Sequence, residues 1–301
     1  MDARLTGPAD PQGRRLALIV AYAGGRWHGF QRQPGVETVQ GELERALAEV
    51  VGGPVRVRGA GRTDAGVHAS GQVVDFTLPQ EVGLPLERLP RALAAHLPPD
   101  IVTWSAHAVP SEFHARKSAL GKRYRFLIWR ASQPSPFLRA YALHRHGHLD
   151  VPAMRAAARA LVGRHDFSAL AGAGRPVDDA TRTVVDCRVL EAGHLLAVEV
   201  EADGFLYRMV RAITGTLLEV GRGAMPAEAV PALLAGGRRG DAGPSLPPQG
   251  LCLLWVRYPP AAGLPAPDAR AAWPPAPGDA DLQGSANGGD GGWVPRDGRW
   301  W

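Results

Sequence analysis

The sequence predicts an α+β fold of two related α/β halves with mixed, mainly antiparallel sheets. Two observations lead to this prediction. Extended and helical patterns alternate between residues 14 and 258. Two of the extended runs, 183–190 and 194–201, are separated only by Glu191-Ala192-Gly193, the length of a short hairpin. A doubly wound sheet would instead alternate strand and helix regularly with parallel crossovers, which this sequence does not do.

Four segments have apolar residues at helical spacing, and we expect helices over 38–51, 86–96, 151–162 and 206–220. Thr38 and Asp150 are the expected N-caps of the first and third helix. The last helix has an apolar stripe that we expect in the core, formed by Met209, Val210, Ile213, Leu217 and Val220. Short extended runs predict the strands 16–22, 55–59, 71–78, 101–108, 122–129, 183–190, 194–201 and 251–258.

The chain is expected to divide into four parts. Residues 14–115 form an N-terminal α/β half that carries a glycine-rich loop, and residues 116–258 form a C-terminal α/β half. Residues 1–13 are expected to be a flexible N-terminus. Residues 259–301 contain 8 Pro and 8 Gly without apolar periodicity, so we expect a disordered tail that buries too little to offset its ordering entropy.

Charge and composition narrow the function classes. The formal net charge is +5, and the tail has 3 Arg and 5 Asp, so the rest of the chain is more basic than the whole. A basic body fits a polyanionic partner such as nucleic acid. No apolar run approaches the roughly 20 residues of a membrane span, and we expect a cytoplasmic protein. Cys187 and Cys252 are isolated, which predicts buried thiols rather than a disulfide or a metal site.

The most unusual segment is the small-residue loop Gly59-Ala60-Gly61-Arg62-Thr63-Asp64-Ala65-Gly66-Val67-His68-Ala69. Arg62 and Asp64 are two residues apart, so in an extended loop both side chains project to the same side. Asp64 occupies the position of a glycine that a dinucleotide phosphate loop requires, and its carboxylate would repel a pyrophosphate. Two readings remain open: a tight turn with Asp64 bonded to its own backbone, or a reactive carboxylate. Asp75 and Asp203 are expected to have structural roles.

The segment GAGRTDAGVHASGQVVDF resembles the catalytic motif of the tRNA pseudouridine synthase A (TruA) family. Further segments resemble the same family in the same order and span residues 14–258: YAGGRWHGFQRQP, TVQGELERAL, FHARKSALGKRYRF, GRHDFSAL, DGFLYRMVRAITG and GLCLLWVRYP. The sequence departs from the family at Arg208 and Ala212, where the family commonly has asparagine, and at Phe126, where it has tyrosine.

The resemblance implies a fold, a reaction and partners. The fold would be that of a pseudouridine synthase, with two halves side by side and an active cleft between them. The reaction would isomerise uridine to pseudouridine at positions 38 to 40, in the anticodon stem-loop of tRNA, with one catalytic aspartate and no cofactor. The partners would be tRNA and a second copy of the chain, because the tRNA lies across both subunits of a homodimer in that family.

The resemblance also assigns roles to residues. Asp64 matches the catalytic aspartate, as nucleophile or base, and Arg182 matches an arginine that pairs with this carboxylate. Tyr124 matches an active-site tyrosine whose ring stacks on the uracil, and Arg62 matches an arginine that helps expose the target base. Leu251 resembles an apolar residue of the uracil pocket, with a buried strand leucine as the alternative. Further RNA contacts are expected at Arg26, Gln31, Arg58, Lys122, Arg123, Arg208 and Arg211.

Two alternative functions and one alternative site compete with this interpretation. A non-catalytic RNA-binding protein would act as a chaperone for tRNA folding, and a nucleoside hydrolase would need a second carboxylate that the sequence does not offer. His144, His146 and His148 would lie on one face of a strand and could suggest zinc. No cysteine or acidic cluster supports a metal, so we expect a polar strand face near the RNA.

Overall fold

Ten strands form one sheet in the computed structural model, which describes residues 13–78, 85–172 and 178–267. The helices are α1 (Val39–Val51), α2 (Leu89–Ala94), α3 (Val151–Ala160), α4 (Met209–Gly221) and α5 (Ala229–Leu234). The strands are β1 (Arg14–Tyr22), β2 (Arg58–Gly59), β3 (His68–Leu78), β4 (Ile101–Ala108), β5 (Gly121–Trp129), β6 (Leu143–His144), β7 (Gly163–Asp166), β8 (Thr181–Ala192), β9 (Leu195–Ala202) and β10 (Leu251–Arg257).

The last strand of the chain joins the two parts of the sheet. The strand order is β4-β1-β3-β10-β5-β9-β8-β7, with β2 on β3 and β6 on β5. β10 runs parallel to β3 at two positions and antiparallel to β5, and the remaining pairs are antiparallel except for β6 with β5. β8 and β9 form the predicted hairpin. The predicted mixed, mainly antiparallel α+β fold is therefore confirmed.

Side chains of β5 alternate between two environments, as the pleat of a strand requires. Tyr124, Phe126 and Ile128 belong to the main core, together with buried residues of α1, α3 and α4. Leu127 belongs instead to a small cluster with Ala142 and Ala197, on the other face of the sheet. The helices and the main core thus lie on the face toward which Tyr124 points.

Several predicted buried groups are confirmed. The apolar stripe of α4 is buried along its length. Thr38 and Asp150 cap α1 and α3, each through a side-chain oxygen that accepts a backbone N–H. Cys187 and Cys252 are buried and neither is part of a disulfide; burial raises their pKa values to about 12 and about 11, so neither is a reactive thiolate at neutral pH.

Some predicted boundaries are wrong, for identifiable reasons. The helix predicted over 206–220 begins at Met209 because Arg208 has a left-handed backbone conformation. The helix predicted over 86–96 is a 3-10 turn followed by α2, which ends at Ala94. Of the strand predicted over 55–59 only the last two residues pair. The sequence does not predict β7 and α5, since four and six residues are too few to show a period.

The two ends of the chain lie largely outside the described residues. This applies to residues 1–12 of the expected flexible N-terminus and to residues 268–301 of the expected tail. Residues 259–267 are described and pack on the body: Ala262 is buried in the main core. The Tyr258 hydroxyl, just before them, donates to the Ala115 carbonyl at 2.6 Å. Within the described ranges, no helix is both long and apolar enough to cross a membrane.

Candidate active site around Asp64

Asp64 lies on the loop between β2 and β3, and buried polar contacts fix the backbone of that loop. The Thr63 and Tyr22 hydroxyls are 2.8 Å apart, in a buried hydrogen bond. The Phe30 backbone N–H donates to the Thr63 carbonyl at 3.0 Å. Because Thr63 is directed into the core, the neighbouring Asp64 side chain projects outward, and it remains 31% exposed.

A close approach by Gly29 holds the same loop from the other side. Gly29 has a φ of +92°, and a β-carbon there would lie 2.8 Å from the Thr63 carbonyl oxygen. The Gly61 carbonyl accepts a hydrogen bond from Gln72 Nε2 at 2.9 Å. The Asp64 carbonyl accepts one from the Val67 N–H at 3.1 Å. The loop is therefore a rigid support for the Asp64 carboxylate, and its own turn uses the Asp64 backbone rather than its side chain.

Among the residues that the structure describes, Arg211 is the closest charged partner of Asp64. Its Nη1 donates to Asp64 Oδ2 at 3.1 Å, and its Nε donates to the Leu246 carbonyl at 2.5 Å. The Arg211 side chain is only 9% exposed. Burial lowers the pKa of this arginine, and the Asp64 charge opposes that shift. Because hydrogen bonds hold both Nε and Nη1 of the guanidinium, Arg211 gives the Asp64 carboxylate a fixed orientation.

The expectation that Arg182 pairs with Asp64 is wrong in this structure. Arg182 lies on β8, and its Nη1 donates to the Asp179 and Thr181 carbonyls at 3.1 and 2.6 Å. Arg211, which the sequence predicts as one of the general RNA contacts, occupies the position expected for Arg182. The signal that could have found it lies in α4: Arg211 is the one charged residue in the segment 209–218, which is otherwise made of apolar residues, glycine and threonine.

A second arginine, Arg208, stands farther from the carboxylate. Its Nε is 4.0 Å from Asp64 Oδ2, and its side chain is 43% exposed. Each ion-pair partner that Asp64 has in the described part of the chain is thus an arginine. Such a site suits a reaction that uses one carboxylate.

Tyr124 and Lys122 come from β5 and lie beside the Asp64 loop. A β-carbon on Gly61 would lie 3.6 Å from Lys122 Nζ and 3.9 Å from the Tyr124 hydroxyl. The Tyr124 ring packs edge-on against Phe205, with centroids 4.9 Å apart. Burial raises the Tyr124 pKa, and the nearby Tyr22 and Asp64 add to the shift, so the phenol is neutral. Burial and Arg116 lower the Lys122 pKa to about 8.

Arg62 is exposed to solvent, whereas Leu251 is buried. Arg62 is exposed on the loop, two residues before Asp64, and its role in exposing the target base stays a prediction. Leu251 is buried on β10 opposite Phe126 and belongs to the main core. A buried core position fits the alternative for Leu251, and its proximity to uracil stays a prediction.

Arg123 is not placed to bind RNA, contrary to the sequence-based expectation. It lies on the β5 face opposite Tyr124 and makes ion pairs of 2.8 to 2.9 Å with Asp186, Glu199 and Glu201. Burial by itself lowers the pKa of Arg123. Hydrogen bonds to Glu201 and Glu199 have the larger effect, so the pKa is raised overall. Three carboxylates around one guanidinium leave no positive surface for a phosphate.

Arg58 also has a structural partner. Its Nε donates at 3.0 Å to Asp75 Oδ2, and Asp75 is fully buried. Asp75 accepts further hydrogen bonds from Arg15 and from the Ala115 N–H, which fits the structural role expected for it. The Arg58 side chain is 41% exposed, so its charge is mostly committed to Asp75 and an RNA contact there is not supported.

Two weaker candidates lie on the surface near the end of β1. Arg26 forms an ion pair with Asp100 at 2.9 Å and stacks over the Trp27 ring at 4.1 Å. Gln31 is exposed. Nothing in their geometry joins them to Asp64.

The three histidines of HRHGH do not share a strand face. β6 ends at His144, and Gly147 has a φ of +119° that breaks the extended path. His144 Nε2 is 2.8 Å from the Ala131 carbonyl, while His146 and His148 are exposed. The predicted polar strand is therefore wrong. In the described ranges, no three His, Cys, Asp or Glu residues come together as metal ligands.

Comparison with known proteins gives a consistent family. A family model described as tRNA pseudouridine synthase matches residues 18–116 and 157–259. The chain is 46% identical over 245 residues to a tRNA pseudouridine synthase A of Syntrophotalea carbinolica, covering 81% of this chain and 96% of that protein. It is 45% identical over 244 residues to the protein of the same name from Methylacidiphilum infernorum, covering 81% and 95%.

A chain in a solved structure, described as an H/ACA RNP bound to a substrate RNA containing 2'-deoxyuridine, aligns with 67% of this chain and 44% of that chain. Its identity is 14% and its TM-score 0.33, too low to add to the assignment. Because the family model matches well over half of the sequence and the relatives are matched over nearly their whole length, this chain belongs to the tRNA pseudouridine synthase family.

Proposed function

We propose that this protein isomerises uridine to pseudouridine in the anticodon stem-loop of tRNA, with Asp64 as its catalytic carboxylate. The observation that carries the proposal is one partly exposed carboxylate on a rigid loop, held by Arg211 at 3.1 Å and lying beside Tyr124. A single oriented carboxylate suffices for this reaction, whereas hydrolysis of a glycosidic bond normally uses two.

The isomerisation balances within the nucleotide. The bond from N1 to C1′ breaks, the uracil turns while still bound, and a bond from C5 to C1′ forms. C5 loses a proton and N1 gains one, so no water and no redox cofactor is consumed. Asp64 begins the reaction by attacking the sugar, by attacking the base or by removing a sugar proton; each route uses the same carboxylate as nucleophile or base.

The neighbouring residues take supporting roles in this proposal. Arg211 keeps the carboxylate aimed at the substrate. The Tyr124 ring stacks on the uracil and holds it during rotation, as aromatic side chains do with unstacked bases. Exposed Arg62 enters the stem as the base leaves it, and filling the vacated space offsets part of the few kcal/mol that base flipping costs.

The chain is further proposed to work as a homodimer in the cytoplasm, as the family resemblance implies. Two large apolar side chains fit a covered surface: Trp104 is 58% exposed and Phe137 is 80% exposed. Light scattering of the active protein at assay concentration should give twice the monomer mass. A monomeric mass with full activity would reject the dimer.

The test is pseudouridine mapping on an unmodified tRNA transcript, by carbodiimide labelling and primer extension. Asp64→Asn is compared with Glu49→Gln, which removes a negative charge from an exposed site on α1. The wild type and Glu49→Gln should give new stops in the anticodon arm, and Asp64→Asn should give none while still binding tRNA. Tight tRNA binding without stops from the wild type would instead support a non-catalytic RNA-binding protein.

A further inference from the structure

Arg208 has a backbone conformation that its side chain does not favour. Among the described residues it alone combines a positive φ, +57°, with a side chain. It stands immediately before α4, and its carbonyl accepts the Ala212 N–H at 3.0 Å. Asparagine or glycine occupies this left-handed region much more readily than arginine does. The arginine is therefore kept at a backbone cost.

Neighbouring backbone imposes this conformation. The Gly172 N–H donates to the Tyr207 carbonyl at 2.6 Å, and the Met209 N–H donates to the Leu206 carbonyl at 3.1 Å. A β-carbon on Gly172 would lie 2.8 Å from Tyr207 Cδ1 and 3.1 Å from Arg208 Cβ. Strained residues persist where their surroundings fix them in this way, and they cluster at ligand-binding sites.

The Arg208 side chain differs from that of Arg211 in what it binds. The Arg208 guanidinium stacks over the Tyr207 ring at 4.8 Å, and its Nε stands 4.0 Å from Asp64 Oδ2. No hydrogen bond joins this guanidinium to any part of the chain that the structure describes. Arg211, by contrast, is hydrogen-bonded to both Asp64 and the Leu246 carbonyl. Arg208 is thus oriented and exposed, with its donors available.

The charge at the site exceeds what Asp64 can neutralise. Arg211 alone matches the single carboxylate, and Arg208 adds a further cation at the exposed edge. Arginine forks bind phosphate oxygens through two parallel hydrogen bonds, and charge-assisted bonds of this kind are strong. An RNA substrate brings phosphates on both sides of the target nucleotide to the same place.

We propose that Arg208 binds a backbone phosphate next to the target uridine and that its left-handed conformation aims the guanidinium there. The proposal rests on the proposed function, because it takes RNA as the ligand of this site. On binding, the guanidinium leaves its long ion pair with Asp64 for the phosphate. Arg208 then positions substrate, while Arg211 continues to hold the carboxylate.

Arg208→Asn is the primary test, because asparagine removes the charge and also tolerates the backbone. Its melting temperature should rise by about 2 to 4 °C. KM for tRNA should rise about tenfold, with kcat within about threefold of wild type. The slope of log affinity against log salt should become less negative by about 0.7 to 0.9, the value for one phosphate contact. Arg208→Lys should keep the wild-type slope and melting temperature, with an intermediate KM.

Arg222→Asn is the matched control, since Arg222 follows the other end of α4 and is 48% exposed. It should leave KM and the salt slope unchanged. Wild-type KM and slope in Arg208→Asn would overturn the proposal. So would a lower kcat with a shifted pH profile at unchanged KM, which would mean that Arg208 acts on the Asp64 carboxylate.

The salt slope is measured by equilibrium binding of unmodified tRNA and needs no chemistry. A wild-type protein that binds tRNA without forming pseudouridine would reject the proposed function. A reduced slope in Arg208→Asn would still support the phosphate contact in that case. Full wild-type activity with identical slopes would reject the phosphate contact alone.

Discussion

Arg211 Nη1 lies 3.1 Å from Asp64 Oδ2, although the two residues are 147 positions apart in the chain. The contact brings together the loop before β3 and the first turn of α4. The Leu246 carbonyl fixes the other side of the guanidinium, so the arginine cannot follow a moving carboxylate. The site is therefore assembled by the tertiary fold rather than by one motif.

Replacing Arg211 tests this contact. Arg211→Lys keeps the charge but cannot bond both Asp64 and the Leu246 carbonyl, so kcat should fall about 10²-fold, as when an oriented donor is lost. Arg182→Lys should change kcat by less than about twofold, because the hydrogen bonds that Arg182 makes within the described residues go to nearby carbonyls. Single-turnover pseudouridine formation measures both. A larger effect at Arg182 would restore the family-based assignment.

Two substitutions of Tyr124 separate the role of its aromatic ring from that of its hydroxyl. Tyr124→Phe keeps the face that would stack on uracil, and we expect an activity within about fivefold of wild type. Tyr124→Leu keeps bulk but loses the stacking surface and should cost about 10- to 100-fold, from the usual worth of base stacking. The comparison is made at saturating tRNA. Equal losses in the two variants would place the essential function on the hydroxyl.

The lowered pKa of Lys122 predicts that tRNA binding depends on pH. Its pKa of about 8 means that the wild type loses this positive charge as pH rises from 7 to 9. Affinity for tRNA should therefore fall across that window. In Lys122→Arg the charge persists, and the decline should be smaller. Fluorescence anisotropy at constant ionic strength measures the difference, and parallel pH curves would exclude a contact between Lys122 and RNA.

The same pKa shift makes a prediction about stability. Burial lowers the folded pKa of Lys122 below its ordinary value of 10.5, so between about pH 8 and 10.5 the unfolded chain binds more protons. Stability then rises with pH in that window, and below pH 8 both states are protonated. Urea unfolding should show Lys122→Met more stable than wild type at pH 7.5, with a smaller advantage at pH 9.5. A constant difference would contradict the lowered pKa.

Arg123 tests the face of β5 that points away from Asp64. Arg123→Met leaves Asp186, Glu199 and Glu201 without their shared cation and should cost about 3 kcal/mol of unfolding free energy. Its tRNA salt slope should not change. Arg188→Met is the control, because exposed Arg188 also pairs with Asp186 and should cost under about 1 kcal/mol. A reduced salt slope in Arg123→Met would instead show that Arg123 contacts RNA.

Local patterns predicted most of the elements but not their ends. α1 and α3 carry caps that can be recognised in the sequence, and the predictions for them hold to within two residues. α4 begins three residues later than its apolar period suggests, because contacts around Gly172 impose the turn at Arg208. The position of β10 between β3 and β5 is a long-range pairing that no local pattern contains.

The site was predictable where one motif carries it and not where two elements meet. Asp64, Arg62 and the approach of Tyr124 follow from the loop and from the resemblance. The choice between Arg182 and Arg211 depends on which strand or helix packs against the loop. Arg123 is not placed to contact RNA because the register between β5 and β9 sets it opposite Glu201. Both the Asp64–Arg211 contact and the Arg123–Glu201 register join residues far apart in the chain, so no local sequence pattern predicts them.

The most direct measurement of the central claim is tritium release from tRNA transcribed with uridine labelled at C5. Isomerisation at C5 must release that hydrogen to solvent. The wild type and Glu49→Gln should release tritium from the anticodon arm, and Asp64→Asn should release none although it binds tRNA with unchanged affinity. Release by Asp64→Asn at the wild-type rate, or none by the wild type on tRNA that it binds, would contradict the account.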